Sequence, residues 1–339
     1  MAEKKIQRIA VLTSGGDSPG MNAAVRAVVR TACANGVEVL GINRGYSGLI
    51  NNDFRKLEAR SVDGLLQCGG TVLYTARCAE MMTEEGQRRA ADNCKYLGID
   101  GLICIGGDGT FRGALALARL GVPCVGIPAT IDNDIACTEY TIGFDTATNT
   151  AVQCVDMLRD TMRSHERISV VEVMGRHAGH LALNVGCAVG AAAILVPEHE
   201  AHFQEDVIEK IREGRINRRH HHIIIVAEGY SLTTQEVADR VEAETGMDTR
   251  VTILGHIQRG GSPSARDRII ATRMGDCAVN ALLEGKEKCI VAMQKGLVLD
   301  LEIEEALEMK KSLDEALYQV EQTMSIQINR SRIKKRGTL

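Results

Sequence analysis

Short aliphatic and β-branched runs alternate along the chain with helix-length segments whose apolar positions recur every three or four residues. Residues 9–12 read as a strand, 13–20 as a loop and 21–34 as a helix with Val25, Val28 and Val29 on one face. Residues 37–42 form the next strand, 84–97 a polar helix and 101–105 another strand. A glycine loop at 106–109 precedes a helix over 112–120 and a strand over 122–127. The second half repeats the habit. A helix over 148–162 carries apolar residues at 151, 155, 158 and 162, and a strand over 168–173 and a loop over 175–179 follow. A helix begins at 181–185, and then come a strand at 193–197, a helix at 205–213, a strand at 223–227, a helix at 236–245 and a short strand at 252–254.

This βαβ alternation with short connections predicts an α/β chain: two closely packed, doubly wound domains with mainly parallel sheets and an active-site cleft between them. In such sheets ligands bind beyond the carboxyl ends of the strands. Gly15, Gly106, Thr130, Gly175, Glu228 and His256 all fall at predicted strand ends.

Composition narrows the class. The 339 residues suit about two domains, and 45% hydrophobic with 25% charged residues is ordinary for a globular protein. A net charge of −4, no Trp and 3% aromatics argue against a nucleic-acid partner. No apolar run is long enough to span a membrane, and the N-terminus enters a strand without a signal peptide. The eleven cysteines, an odd number with no C-x-x-C pair, read as small buried hydrophobes in a reducing cytoplasm.

Three stretches carry candidate chemistry. Thr13-Ser14-Gly15-Gly16-Asp17 follows a strand and opens a helix, where backbone N–H groups favour a phosphate; a tight turn relieved by glycine is an equal reading. It matches neither a P-loop nor a G-x-G-x-x-G fingerprint. In Gly106-Gly107-Asp108-Gly109-Thr110 the carboxylate is placed to reach a Mg²⁺ bridging phosphates, or to cap a helix. In Pro128-Ala129-Thr130-Ile131-Asp132-Asn133-Asp134, alternation along an extended segment would put Thr130, Asp132 and Asp134 on one side. One carboxylate there can take a proton from an attacking hydroxyl and another can serve a metal shell. Two glycine loops and an Asp pair are what phosphoryl transfer to an alcohol needs.

Arg250, His256 and Arg259 lie within ten residues, and two guanidiniums with an imidazole suit a phosphate monoester; Arg167 and Arg176 add two cations at the ends of another strand, too many at strand ends to read as plain surface residues. His220-His221-His222 alternate faces at a strand start, so they read as a polar strand entry rather than a metal site. Five Lys or Arg within 330–336 read as a solvated terminus.

With these residues in hand, the chain resembles the bacterial ATP-dependent 6-phosphofructokinases from about residue 6 to 325. The resemblance rests on LTSGGDSPGMNAAVR (12–26), IGGDGT (105–110), PATIDNDI (128–135), SVVEVMGRHAGH (169–180) and LGHIQRGGSP (254–263), in the family's order. It implies a larger ATP-binding domain (1–142 plus 257–308) and a smaller sugar-phosphate domain (143–256 plus 309–339). It implies that Asp132 is the general base, that Asp108 holds Mg²⁺ with Asp134 assisting, and that Arg176 faces the transferring phosphoryl. Gly15, Tyr46, Arg77, Cys78, Gly107, Asp108, Gly109 and Thr110 would form the ATP site. Thr130, Met174, Gly175, Arg176 and Glu228 would position fructose 6-phosphate. His256 and Arg259 would hold its 6-phosphate, joined by Arg167 and Arg250 of a neighbouring subunit in a homotetramer. Arg26, Arg30 and Arg159 match an effector site for ADP or phosphoenolpyruvate, in which Ala59 replaces an Arg and Ala192 a Glu.

Pyrophosphate-using relatives typically carry Asp where this chain has Gly109 and Lys where it has Ala129, so ATP is the expected donor; ATP enzymes usually have Gly at the second position. The rival readings are a pyrophosphate-dependent phosphofructokinase, a lipid or NAD kinase with a GGDG loop, and a non-catalytic sugar-phosphate sensor. The sugar-phosphate cations argue against the second, and the retained Asp108 and Asp132 against the third.

Overall fold

The computed structural model describes residues 6–325, so the basic segment at 330–336 lies outside the described residues. The chain forms two compact units, Met1–Ala147 with Arg259–Lys311, and Thr148–Gln258 with Ser312–Leu339.

The first unit opens with β1 (Arg8–Thr13), α1 (Met21–Ala34), β2 (Glu38–Ile42), α2 (Gly45–Asn51) and β3 (Phe54–Leu57). It continues through α3 (Glu84–Tyr96), β4 (Gly101–Gly106), α4 (Asp108–Arg119) and β5 (Cys124–Pro128). Helix α5 (Phe144–His165) carries the chain into the second unit: β6 (Ile168–Val173), α6 (His180–Val189), β7 (Ala193–Leu195), α7 (Lys210–Ile216), β8 (His222–Ala227), α8 (Thr234–Thr245) and β9 (Thr249–Ile253). After a 3₁₀ turn at Gly255–Arg259, the chain returns to the first unit with α9 (Ala265–Leu283), β10 (Lys288–Gln294), β11 (Leu297–Glu302) and α10 (Ile303–Glu308). Helix α11 (Glu315–Ser325) then rejoins the second.

The first unit's sheet runs β11-β10-β5-β4-β1-β2-β3, with β3 and β11 antiparallel at its two edges and the rest parallel. Its central strand β4, Gly-Leu-Ile-Cys-Ile-Gly, is buried at every position, as a strand covered on both faces must be. Helix α9 lies close on α1 because Gly275 has no side chain; a Cβ there would sit 2.6 Å from that of Ala27 and 2.9 Å from the carbonyl of Ala24. The second unit's sheet, β7-β8-β6-β9, is wholly parallel. Its helix α8 starts at a capping box in which Thr233 and Glu236 each bond the other's backbone N–H.

Several elements depart from the sequence expectations. Helix α4 starts at Asp108 rather than 112, so the presumed glycine loop ends at Gly107, and this glycine occupies the N-cap. Asp108 is therefore in the first helical turn, where the dipole favours a carboxylate, and does not cap. The predicted helix at 205–213 opens as a π-helical turn, Gln204–Glu209, before α7. Its buried Phe203, Val207 and Ile211 are spaced by four, which does not separate the two helix types. Helix α5 extends beyond 148–162 at both ends. Finally, His222 is not a polar strand entry: it begins β8 fully buried, with Gly214 making room for its ring. No helix among the described residues is long and apolar enough to cross a membrane.

Candidate active site

In the first unit, β1, β4 and β5 are neighbours, so the loops leaving their carboxyl ends meet. Ser14 N donates to Ile105 O (3.0 Å) and Ala129 N to Gly106 O (2.9 Å), stitching the three together. Gly106 is required there, since a Cβ would stand 2.3 Å from Thr110 Oγ1 and 2.4 Å from Ser14 O. The Thr110 hydroxyl donates to Ser14 O at 3.2 Å. Tyr46 lies beneath, its ring against Gly113 and its hydroxyl donating to Thr110 O at 2.5 Å. At 3% exposure Tyr46 shapes the loop from inside the core and offers almost no side-chain surface to a ligand.

Above this base the site is open. Cβ atoms added at Gly107 or Gly109 would meet nothing within 4 Å, and Asp108 is exposed between them. Gly15 is exposed at φ +90°, its carbonyl held by the Thr75 hydroxyl at 2.6 Å. The start of α4 and two exposed glycine backbones therefore offer N–H groups where an anion can settle. Arg77 is exposed and Cys78 half-buried nearby in sequence. Arg259 packs its guanidinium against Gly16 and donates from Nη1 to Asp17 O at 3.0 Å.

The Thr130–Asp134 segment is not extended. Asn133 adopts a left-handed conformation (φ 52°), so the alternation expected to align Thr130, Asp132 and Asp134 does not hold. Instead Asp132 N bonds back to Thr130 Oγ1 (3.2 Å), and Asn133 is the hub. Its Oδ1 accepts from Thr141 N (3.1 Å) and from Lys311 Nζ (3.1 Å), while the Thr141 hydroxyl donates to Thr130 O (2.7 Å). Burial pushes Lys311 down to about 8, against the pull of Asp134's charge. Asp132 itself is 7% exposed.

In the second unit, the loops after β6, β8 and β9 meet in the same way. Glu228 Oε1 accepts from both Gly175 N (3.3 Å) and Arg176 N (2.5 Å), and these two residues hold φ values of +147° and +58°. Met174 N donates to Oε1 of the fully buried Gln258 at 2.9 Å. Arg176, Glu228 and His256 are exposed, and Met174 is half-buried. Sequence reasoning missed Gln258, Asn133 and Lys311. The only signal for Gln258 was its place beside His256 and Arg259.

Four of the five cations lie in the second unit, and there they do not gather at one end of the sheet. Arg167 immediately precedes β6 and Arg250 is the second residue of β9, at the amino ends of adjacent strands, whereas Met174, Arg176 and His256 lie beyond the carboxyl ends. Both arginines bind Asp248, Arg167 Nε at 2.5 Å and Arg250 Nη2 at 3.0 Å. Within the second unit the parallel sheet thus keeps Arg167 and Arg250 a strand length from Arg176 and His256.

Two loop clusters, one built on glycines and acidic groups and the other on an arginine and a histidine, accompany a match to the phosphofructokinase family model over residues 8–282. The chain belongs to the phosphofructokinase family. It is 53% identical over 316 residues to ATP-dependent 6-phosphofructokinase 1 of Clostridium perfringens, covering 93% of this chain and 98% of that protein. To the ATP-dependent 6-phosphofructokinase of Bacillus pumilus it is 54% identical over 321 residues, covering 95% and 100%. Among solved structures, phosphofructokinase from Saccharomyces cerevisiae superposes with a TM-score of 0.85 at 37% identity; the match covers 97% of this chain and 49% of the yeast one, so this phosphofructokinase spans about half that chain's length. Of the residues expected at an effector site, Arg30 pairs with Asp63 and Arg159 donates to Val189 O, while Arg26 is half-buried. Ala59 is exposed and Ala192 buried.

Proposed function

We propose that this phosphofructokinase transfers the γ-phosphoryl group of ATP to the 1-hydroxyl of fructose 6-phosphate, giving ADP and fructose 1,6-bisphosphate, as a cytoplasmic homotetramer of glycolysis. The carrying observation is the open space over Gly107 and Gly109, beside a helix start and an exposed Asp108. A nucleotide's phosphates need that room, and Asp at 109 would occupy it. Relatives above 50% identity named as ATP-dependent support the same donor.

The residues fit Mg²⁺. Among the described residues no three His, Cys, Asp or Glu side chains gather into a metal cage. An exposed carboxylate in an open phosphate loop instead suits a hard cation that keeps waters and phosphate oxygens as most of its ligands. Asp108 would hold it, with Asp134 in its shell; when bound, it neutralises charge on the phosphate oxygens.

The chain's own groups do the rest. Asp132 accepts the proton of the sugar 1-hydroxyl as the new O–P bond forms and the β,γ-bridging oxygen leaves with ADP. Thr130 and Glu228 orient the sugar, Glu228 also by fixing the strained Gly175-Arg176 backbone. Arg176 faces the transferring phosphoryl. His256 and Arg259 hold the 6-phosphate, with Arg167 and Arg250 supplied by a neighbouring subunit. ADP or phosphoenolpyruvate would bind at Arg26, Arg30 and Arg159, with a response blunted by Ala59 and Ala192.

The test is fructose 1,6-bisphosphate formation from fructose 6-phosphate and Mg²⁺ with ATP or pyrophosphate in parallel. Turnover with ATP alone supports the reading. Turnover with pyrophosphate would keep the acceptor and base but overturn the donor, and turnover with neither would favour a sugar-phosphate sensor.

A further inference from the structure

Lys311 ends the first unit, just past the last turn of α10. Its neighbour Lys310 is exposed, but Lys311 is turned inward. Its ammonium reaches three acceptors on one short segment: Asn133 Oδ1 at 3.1 Å, Thr138 O at 2.9 Å and Ile135 O at 3.4 Å. An ammonium has three N–H donors, so this set uses all of them. Asn133 lies between Asp132 and Asp134 in a left-handed backbone conformation, which asparagine adopts more readily than other non-glycine residues, and its side chain is held by hydrogen bonds on both sides. Thr141 supplies one side of that support and Lys311 the other.

We propose that Lys311 is a positioning residue for phosphoryl transfer, fixing the Asp132–Asp134 turn from behind through Asn133, Ile135 and Thr138. Burying an ammonium is costly, and an apolar side chain could cover the same space more cheaply. What an apolar side chain cannot do is tie three points of one turn to a single centre. A base displaced by about 1 Å can lose on the order of 10²-fold in rate, so a small loosening of this turn is felt at the reacting atoms. The inference rests on the proposed role of Asp132.

The experiment compares wild type, Lys311→Met and Lys311→Arg in the full chain with ATP and fructose 6-phosphate, scoring kcat, both KM values and the active fraction from single-turnover amplitude. Lys311→Met should lower kcat by roughly 10- to 100-fold with KM values and active fraction little changed, because the turn loosens without loss of the binding groups. Lys311→Arg, which keeps charge and donors, should recover part of that loss. A purely structural lysine would lower the active fraction instead, and that result would overturn the proposal. So would a Lys311→Met kcat close to wild type. If Lys311→Met does not fold, Lys311→Gln takes its place under the same criteria; if neither folds, Lys311 is a folding residue and the proposal fails. An inactive wild type would overturn the functional reading and this proposal together, whereas an active wild type with an equally active Lys311→Met overturns this one alone.

Discussion

Arg167 and Arg250 share one carboxylate, that of Asp248, at the amino ends of β6 and β9. The six residues of β6 span about 20 Å at ~3.3 Å per residue, so within its own unit Arg167 sits far from the loop that follows the strand. Under the proposed function, cations held so far from Arg176 and His256 would serve the sugar phosphate of a neighbouring subunit's site. Mixing two inactive variants tests this. Asp132→Asn removes the base and Arg250→Ala removes a phosphate contact. Subunits dissociated, mixed and reassociated should regain turnover, because some sites draw Asp132 from one chain and Arg250 from another. No recovery on mixing would mean that each arginine serves its own chain or none.

Asp132→Asn alone separates base chemistry from binding. The amide keeps the shape of the side chain and the Thr130–Asp132 turn, whose hydrogen bond uses the Asp132 backbone N–H. It cannot accept the hydroxyl proton. kcat should fall by about 10²- to 10⁴-fold, the usual worth of a positioned base, with KM for both substrates little changed. A KM effect with kcat preserved would make Asp132 a binding residue instead.

The β-branched runs made most parallel strands legible in the sequence, because strands buried on both faces leave a continuous apolar signal. The edge strands β3 and β11 gave no such signal: Phe54-Arg55-Lys56-Leu57 is largely exposed, and its pairing is decided by β2 rather than by its own pattern. Candidate side chains such as Asp132 and Arg176 could be named from local motifs. Their supports could not, since Lys311 lies 178 positions from Asn133 and Gln258 lies 84 from Met174. Only the fold brings such pairs together. Asn133 also shows where local reasoning misleads: one left-handed residue undoes the two-residue alternation from which the carboxylate geometry was argued.

The phosphate loop offers a contrast between two glycines three positions apart. At Gly109 a Cβ would meet nothing within 4 Å, and Gly109→Asp adds a carboxylate in a helix's first turn, so thermal stability should hold or rise slightly. Its side chain would fill the space assigned to the nucleotide, so ATP turnover should collapse. Gly106→Ala does the reverse of a clean probe: its methyl would strike Thr110 Oγ1 and Ser14 O, so it should lower the melting temperature and the soluble yield. Melting curves and ATP kinetics on both variants decide the matter. An active Gly109→Asp enzyme would show that the nucleotide's phosphates do not use that space.

His222 predicts how the second unit responds to acid. The ring is fully buried, and neither nitrogen has a full hydrogen-bond partner. Burial, reinforced by the charge of Arg219 and opposed by a backbone contact there, lowers its pKa from 6.5 to about 4. A base whose pKa is depressed in the fold binds its proton more readily when unfolded, so folding is opposed wherever the unfolded chain is protonated and the folded chain is not. His222 should therefore cost nothing above about pH 6.5, and stability should fall as pH drops from 6.5 toward 4, by on the order of 3 kcal/mol in full. His222→Leu, close in volume and unable to charge, removes that term. Urea midpoints measured between pH 7 and pH 4 should fall more steeply for wild type than for His222→Leu. Equal slopes would mean that the buried ring finds a proton acceptor or water on opening locally, and that other groups set the acid limit of this fold.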